Sequence, residues 1–253
     1  MLLSTKHKQI KGRRMIKGIG FLFLFISFTV FGQLPENEVL KNELTVGVNT
    51  NTNGGLISGI NVRYTFKTAP KKYNLFEFEL VNVKHEKEER FSSATSSSFI
   101  PGKLSYLIAL RPSYGKEITL FEKNPENGIR LNFTYSGGPT FGIVKPYMIE
   151  YLRYVNSVET VVVEAYDPNK HSIGLIRGDA GILTGVSQSR VNVGAHARTS
   201  VNFEYGAFDN LKMGVETGIT LEGYLKSNVL LVNNEKKHFY SAFFFHVYYG
   251  LTF

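Results

Sequence analysis

Three residues of the kind used in acyl transfer, His196, Ser200 and Glu204, lie four positions apart in one alternating segment. A serine can supply a nucleophile, a histidine can act as its base, and a carboxylate can orient the imidazole. In an extended strand, however, residues four positions apart lie about 13 Å apart. That distance is beyond hydrogen-bond reach, so we predict no catalytic residues here and no enzymatic activity.

Sequence motifs for metal, phosphate or cofactor binding are also weak. The chain has no cysteine, and its six histidines show no close metal-ligand spacing. No phosphate-binding glycine loop occurs, and residues 135–139 (Tyr-Ser-Gly-Gly-Pro) are interpreted as a bend or strand break. The sequence therefore predicts no metal site and no cofactor.

The elements that position these side chains are extended segments in which apolar and polar residues alternate. Residues two apart lie on nearly opposite sides of a helix but on one face of a strand, so alternation over about ten residues predicts strands. We read eight such segments: 44–49, 60–67, 73–83, 104–114, 129–141, 191–205, 211–222 and 239–253.

Each predicted strand has one apolar and one polar face, and this arrangement suits a membrane. Past residue 32, no apolar run is long enough for a spanning helix, and only closed barrels otherwise satisfy the backbone in hydrocarbon. The predicted fold is an all-β, antiparallel, up-and-down transmembrane β-barrel of about eight strands, within a range of 8–10. Short turns at one end and longer loops at the other agree with this prediction.

A water-soluble sandwich or lipocalin-like barrel would show the same alternation, with its apolar face inward. Three features disfavour that alternative: charges of both signs in mid-strand, aromatic residues near strand ends, and the terminal Phe253. With the apolar face outward, charged residues fill the lumen and must pair, because an unpaired buried charge costs several kcal/mol. The predicted lumen network comprises Arg63, Glu77, Glu79, Arg111, Arg130, His196, Arg198, Glu204, Lys212, Glu216, Glu222 and His246.

Residues 1–32 have the anatomy of a signal peptide: a basic start, a short apolar run and a small residue, Gly32, at the expected cut. Met15 is a possible start, and an uncleaved anchor is the alternative. Six of the 29 basic residues lie in this segment, which leaves 23 against 21 acidic residues. Six of the eight net positive charges thus belong to the targeting segment, and nucleic-acid binding is not predicted. Residues 33–43 are expected to be a short periplasmic segment and 44–253 the barrel.

The segment 142–190 is the best functional candidate. It contains apolar stretches that can fold, and a loop this long without internal structure is unusual. We expect a hairpin that extends beyond the membrane, with residues 174–185 over the lumen as a cap. Two roles stay open: a binding surface for a protein partner, and a structural lid.

Residues 248–253 (Tyr-Tyr-Gly-Leu-Thr-Phe) resemble the closing strand of Gram-negative outer-membrane β-barrels, in the loose porin-family grouping of OmpA/OmpX-like barrels. The resemblance implies export to the cell outer membrane, contact with its lipid and lipopolysaccharide, and an insertion signal at Tyr249, Leu251 and Phe253 read by the barrel-insertion machinery. It implies no activity. The expected function is an envelope scaffold, surface-interaction or secretion-accessory protein; a narrow solute or ion channel and a lipid-modifying enzyme are the alternatives.

Overall fold

Alternating segments form long strands in a computed structural model, which describes residues 42–85, 87–93, 96–122, 128–155, 158–208, 211–232 and 236–253. The signal peptide and most of the segment before the barrel lie outside the described residues. The strands are β1 (Asn42–Asn51), β2 (Gly55–Ala69), β3 (Lys72–Val83), β4 (Phe91–Ser93), β5 (Ser96–Phe99), β6 (Ser105–Phe121), β7 (Arg130–Pro146), β8 (Met148–Val155), β9 (Val158–Ala165), β10 (Ile176–Asp179), β11 (Arg190–Phe208), β12 (Leu211–Asn228) and β13 (Lys237–Thr252).

Eight of these strands close into one barrel in the order β1-β13-β12-β11-β7-β6-β3-β2. All neighbours are antiparallel. The closure is visible at Val46, which lies opposite Tyr249 of β13 on one side and Val62 of β2 on the other. Closure leaves no free edge in the barrel wall. The predicted fold class, a closed eight-stranded antiparallel barrel, is confirmed.

The wall is inverted relative to a water-soluble barrel. Its outward-facing side chains are apolar and exposed, for example Val46 (54%), Phe78 (51%) and Val247 (51%). The inward-facing side chains are polar and buried, for example Arg63 (3%) and Glu216 (0%). Successive residues of a strand face opposite sides of the wall. The register of each strand therefore determines both which residues face outward and which face the lumen.

Aromatic side chains form a row on the outer surface towards the end where the short turns lie. Tyr64 lies 6.1 Å from Phe66, Phe66 lies 5.9 Å from Phe76, and Phe76 lies 5.2 Å from Tyr114, all between ring centroids. Phe253 extends the row, with its ring 6.4 Å from that of Tyr64. Rows of this kind mark the interface between hydrocarbon and water in transmembrane barrels.

Most of the wall strands are longer than the sequence predicted, among them β2, which begins at Gly55, and β12, which continues to Asn228. β1 begins at Asn42, β6 continues to Phe121 and β7 continues to Pro146. The predicted fourth strand ended at residue 114 and left Gly115 outside it, but β6 continues through this residue. Within the sheet it lies opposite Ser136, where a Cβ would come within 2.4 Å of the Tyr135 carbonyl oxygen.

The expected strand break at residues 135–139 was also wrong. β7 runs through it with continuous pairing to β11, as in Tyr135↔Thr199 and Pro139↔Ala195. On the other side, the ladder to β6 pauses between Leu110↔Phe141 and Tyr114↔Gly137, next to Pro112. Proline removes a ladder donor, so the interruption affects one side of the strand only.

The two ends of the barrel differ. At one end, β2–β3, β6–β7 and β11–β12 are joined by short connections. At the other end lie the β1–β2 turn and the described parts of residues 84–104, 147–189 and 229–236. We call the second end the loop end. Among the described residues, none of the helices has the length and apolar character needed to cross a membrane.

Candidate functional site

The barrel interior contains the twelve residues that the sequence assigned to a lumen network. Ten of them are buried, and Arg130 and Glu204 are partly exposed. They lie on β2, β3, β6, β7, β11, β12 and β13, so side chains far apart in sequence meet across the lumen. All of them except His196 belong to two groups of ion pairs.

Arg198 is the centre of the first group. Its Nη1 atom lies 2.9 Å from Glu77 Oε1 and 3.0 Å from Glu79 Oε1, and its Nη2 atom lies 3.4 Å from Glu216 Oε1. The guanidinium also stacks over the ring of Phe244, 3.7 Å from the centroid. One cation therefore joins carboxylates from two opposite parts of the wall.

Two further arginines complete this group. Arg63 lies 2.7 Å from Glu216 and 3.3 Å from Glu77. Arg111 makes a paired contact with Glu222, with Nε and Nη2 donating at 2.9 and 2.8 Å. Such forked contacts are the strongest arginine–carboxylate geometry.

The second group lies nearer the short-turn end. Arg130 lies 3.0 Å from Glu43 and 2.6 Å from Glu204. Lys212 lies 2.9 Å from Glu204 and also pairs with Glu43. Tyr73 covers the Arg130 guanidinium at 5.6 Å.

Sequence reasoning missed two buried carboxylates of the interior, Glu43 and Glu117, which are 4% and 1% exposed. Glu43 belongs to the expected periplasmic segment 33–43, and Glu117 lies beyond the end of the strand predicted at 104–114. The available signal was the continued alternation of residues 116–120, where Glu117 and Thr119 are buried while Lys116 and Leu120 are exposed.

The set His196, Ser200 and Glu204 does not converge. Ser200 donates to Glu216 at 2.6 Å, and Glu204 binds Arg130. His196 instead contacts two hydroxyls from other strands, Ser113 Oγ at 2.7 Å from Nε2 and Thr140 Oγ1 at 2.9 Å from Nδ1.

The contact between Ser113 and His196 has the length of a nucleophile–base pair. The imidazole's other nitrogen, however, meets a neutral hydroxyl and not an orienting carboxylate. Both side chains are buried in the packed lumen, at 9% and 6% exposure. The contact therefore provides hydrogen-bond partners for two buried polar side chains. Among the described residues, no cluster of three or more metal-ligating side chains occurs.

An apolar layer crosses the lumen between the ion pairs and the loop end. It is built by the buried side chains of Val81, Val83, Leu107, Ala109, Val144, Tyr224 and Leu230. Leu230 belongs to the β12–β13 connection, and its carbonyl accepts a hydrogen bond from the Leu104 amide at 2.8 Å. The connection thus folds across the mouth of the barrel.

Above that mouth, β8, β9 and β10 form a three-stranded sheet that we call the cap sheet, in the order β10-β8-β9. Its inner side packs on an aromatic cluster, in which the Ile100 amide donates to the Tyr147 hydroxyl at 2.9 Å. The Tyr106 hydroxyl donates to Asp179 at 2.7 Å. These contacts fix the cap sheet to the extended ends of β6 and β7.

A buried lysine supports the cap from below. Lys103 is 1% exposed, pairs with Glu88 and lies 4.1 Å above the Tyr106 ring. Burial lowers the pKa of the Lys103 ammonium, and the hydrogen bond to Glu88 opposes that shift. The ion pair and the ring compensate the cost of burying the charge.

β9 is the outer edge of the cap sheet. It pairs with β8 from Met148↔Ala165 to Val155↔Val158, and among the described strands it has no partner on its other side. Val158, Val161 and Val163 of this strand are 63%, 53% and 51% exposed. An exposed apolar edge is a template for pairing with another strand.

In the predicted insertion signal, Tyr249 and Leu251 lie on the outer face of β13, and Phe253 follows the end of the strand. Tyr249 is 51%, Leu251 38% and Phe253 64% exposed. Tyr249 pairs with Val46 on one side and with Met213 on the other. Recognition by the insertion machinery stays a prediction.

Comparison with known proteins gives no family and no curated relative, since no family model and no curated protein matches the chain. Similar solved structures include Ail, the attachment invasion locus protein of Yersinia pestis, with a TM-score of 0.41 and 9% identity over 85% of this chain and 99% of that chain. The same protein in complex with the heparin analogue sucrose octasulfate gives a TM-score of 0.38, with 8% identity over the same shares of the chains. Neisserial surface protein A gives a TM-score of 0.39, with 8% identity over 85% and 97% of the chains.

Similarity at these TM-scores supports no inference about function. The fold assignment rests on the chain's own geometry: the closed strand order, the apolar outer wall and the ion-paired interior. On that geometry, the chain is an eight-stranded antiparallel barrel built like the small barrels of outer membranes.

Proposed function

We propose that the protein is a non-enzymatic outer-membrane barrel that displays a docking strand for an extended segment of a protein partner. The barrel is the anchor, and the cap sheet carries the function. The single observation behind the proposal is the eight-residue edge strand β9, which lies outside the barrel with its valines exposed.

Strand addition fits this edge for a physical reason. Unpaired backbone groups on a sheet edge supply the hydrogen bonds to an added strand, and alternate side chains supply specificity. The exposed Val161 and Val163 lie on the same face and would contact the side chains of the partner. The aromatic cluster beneath holds the edge in place, which limits the entropy lost on binding.

The alternative of a narrow channel is less well supported. The apolar layer and the folded β12–β13 connection occupy the part of the lumen nearest the loop end. A hydrophobic constriction of this kind opposes the passage of ions. The interior ion pairs are therefore assigned a structural role.

Lysines introduced into the edge should abolish partner binding. The double variant Val161→Lys/Val163→Lys keeps the strand but places charges where an apolar partner strand would pack, as natural sheet edges do. We expect partner capture from envelope fractions to fall about tenfold or more, because burying the two lysine charges against an apolar strand and losing the burial of the valines each cost about 1 kcal/mol or more. Capture and hydrogen exchange of the β9 amides are the measurements.

The matched control is Ile182→Lys/Leu183→Lys, which puts the same charges on exposed residues of the cap away from β9. It should capture the partner as well as the wild type does. Equal loss in both variants, or unchanged exchange of the β9 amides in the presence of the captured protein, would contradict strand addition.

The proposed location has a separate test. A closed barrel with every wall strand paired resists detergent, so the protein extracted from membranes should migrate faster on a gel before heating than after it. Extraction should require detergent. Recovery in the aqueous fraction after alkaline carbonate washing would contradict the membrane-spanning arrangement.

A further inference from the structure

An apolar groove runs along the outer wall at the loop end of β11, β12 and β13. It has a volume of about 810 Å³, and its lining includes Val193, Ala195, Ala197, Leu221, Leu225 and Phe239. Leu225 and Phe239 are 80% and 81% exposed, so the groove opens outward and not into the lumen.

Small residues make the floor of this groove. Ala195 and Ala197 present only methyl groups, and Gly223 presents none. A Cβ at Gly223 would lie 2.9 Å from the Phe239 ring, so that ring covers bare backbone. The larger side chains of Leu221, Leu225 and Phe239 stand along the sides, which leaves a channel suited to a hydrocarbon chain.

A cationic crevice adjoins the groove. Lys84, His85, Lys237 and Asn53 line it together with Phe239, Tyr240 and Ser241, and these last three residues also line the groove. The crevice has a volume of about 80 Å³, and the described residues that line it include no carboxylate.

Glu88, which follows the lining residues Lys84 and His85 in sequence, has partners of its own. Glu88 receives the His85 amide at 3.0 Å and pairs with the buried Lys103. Lys84 and Lys237 thus line, together with polar residues, a crevice the size of a small anion. A small anionic group fits this crevice by charge.

We propose that the groove and crevice form one binding site for a lipid with a net-anionic phosphate headgroup. One acyl chain lies along Ala195 and Ala197, and the phosphate lies between Lys84 and Lys237. The shared residues Phe239 and Ser241 correspond to the junction of headgroup and chain. This inference requires the barrel to span a membrane but is independent of the docking strand.

Native mass spectrometry of the folded barrel, released from nanodiscs of equal phosphatidylglycerol and phosphatidylcholine, tests the proposal. We expect phosphatidylglycerol to be retained about fivefold over phosphatidylcholine or more, since each nearby lysine favours an anionic headgroup. Lys84→Gln/Lys237→Gln should bring the two lipids to equal retention. Ala195→Phe, which fills the groove, should lower the retention of both.

Matched variants show whether a change in lipid retention is specific to the proposed site or follows from any similar substitution on the barrel. Lys72→Gln/Lys116→Gln removes two lysines at the other end of the barrel, and Val46→Phe enlarges an outward residue of β1. Both should behave as wild type, and every variant should keep its heat-modifiable mobility. Equal retention of the two lipids by the wild type, unchanged preference in Lys84→Gln/Lys237→Gln, or unchanged retention in Ala195→Phe would overturn the proposal.

Discussion

Replacing Arg198 by methionine should lower the free energy of unfolding by about 3–5 kcal/mol, the usual cost of removing one partner from a buried ion pair. Arg198 is the common partner of Glu77, Glu79 and Glu216, within 2.9–3.4 Å. Without it, the three buried carboxylates keep only Arg63 and Arg111 as partners among the described arginines and lysines, in a space where water cannot compensate the lost charge. Urea unfolding of the barrel in detergent, followed by gel mobility and circular dichroism, measures the loss.

Arg153→Met is the matched control. Arg153 also pairs with a glutamate, Glu164, at 2.7 Å, but its side chain is 52% exposed on the cap sheet. Exposed pairs contribute about 0–1 kcal/mol, so this variant should unfold close to the wild-type urea concentration.

A second substitution tests the cause of the loss. Adding Glu77→Gln to Arg198→Met removes one of the three carboxylates and should recover part of the stability. If Arg198→Met and Arg153→Met unfold alike, or if Glu77→Gln makes the Arg198 variant worse, the interior charges do not form the cooperative group described above.

The strands and their orientation were predictable because each wall strand repeats the same two-residue signal. Residues 191–205 alternate without a break, and the structure buries His196, Arg198 and Ser200 while exposing Val193 and Ala197. Register along a strand has only two choices of face, so a long alternating segment determines which residues line the lumen.

Strand ends were harder to predict, because residues that favour turns also occur inside a barrel wall. Gly115 marks no turn; it gives the backbone of β7 room to approach. Because the predicted strand ended before Gly115, Glu117 was not recognised as a residue of the lumen. Similarly, residues 135–139 carry two glycines and a proline, yet their pairing with β11 holds them in the sheet.

The alternation of apolar and polar residues could not predict which side chains pair with each other inside the lumen. That Arg198 meets Glu77 and Glu79 depends on the closure of the barrel, which brings β11 across from β3. The contact of Ser113 with His196 likewise joins residues 83 positions apart. The cap sheet depends on similar long-range contacts, such as Tyr147 with Ile100.

The second large effect on the free energy of unfolding is expected at a glycine, a residue with no functional group in its side chain. Gly218 faces the lumen from β12, opposite Ser200 of β11 and Phe244 of β13. A Cβ there would lie 2.1 Å from the Thr199 carbonyl oxygen and 2.7 Å from the Ser200 Cα. Backbone atoms cannot rotate away as a side chain can, so a larger residue must separate β11 from β12.

Gly218→Val should therefore cost about 1–3 kcal/mol from overpacking, and more if the displaced Ser200 loses its 2.6 Å hydrogen bond to Glu216. The same urea titration measures it. Thr199→Val is the matched control, because it places the same side chain on the outward face directly beside this point. It should leave the midpoint nearly unchanged. A Gly218→Val barrel as stable as Thr199→Val would show that β11 and β12 can separate freely. In that case, the close approach at Gly218 would not hold Ser200 and Glu216 in the positions that the central ion-pair group requires.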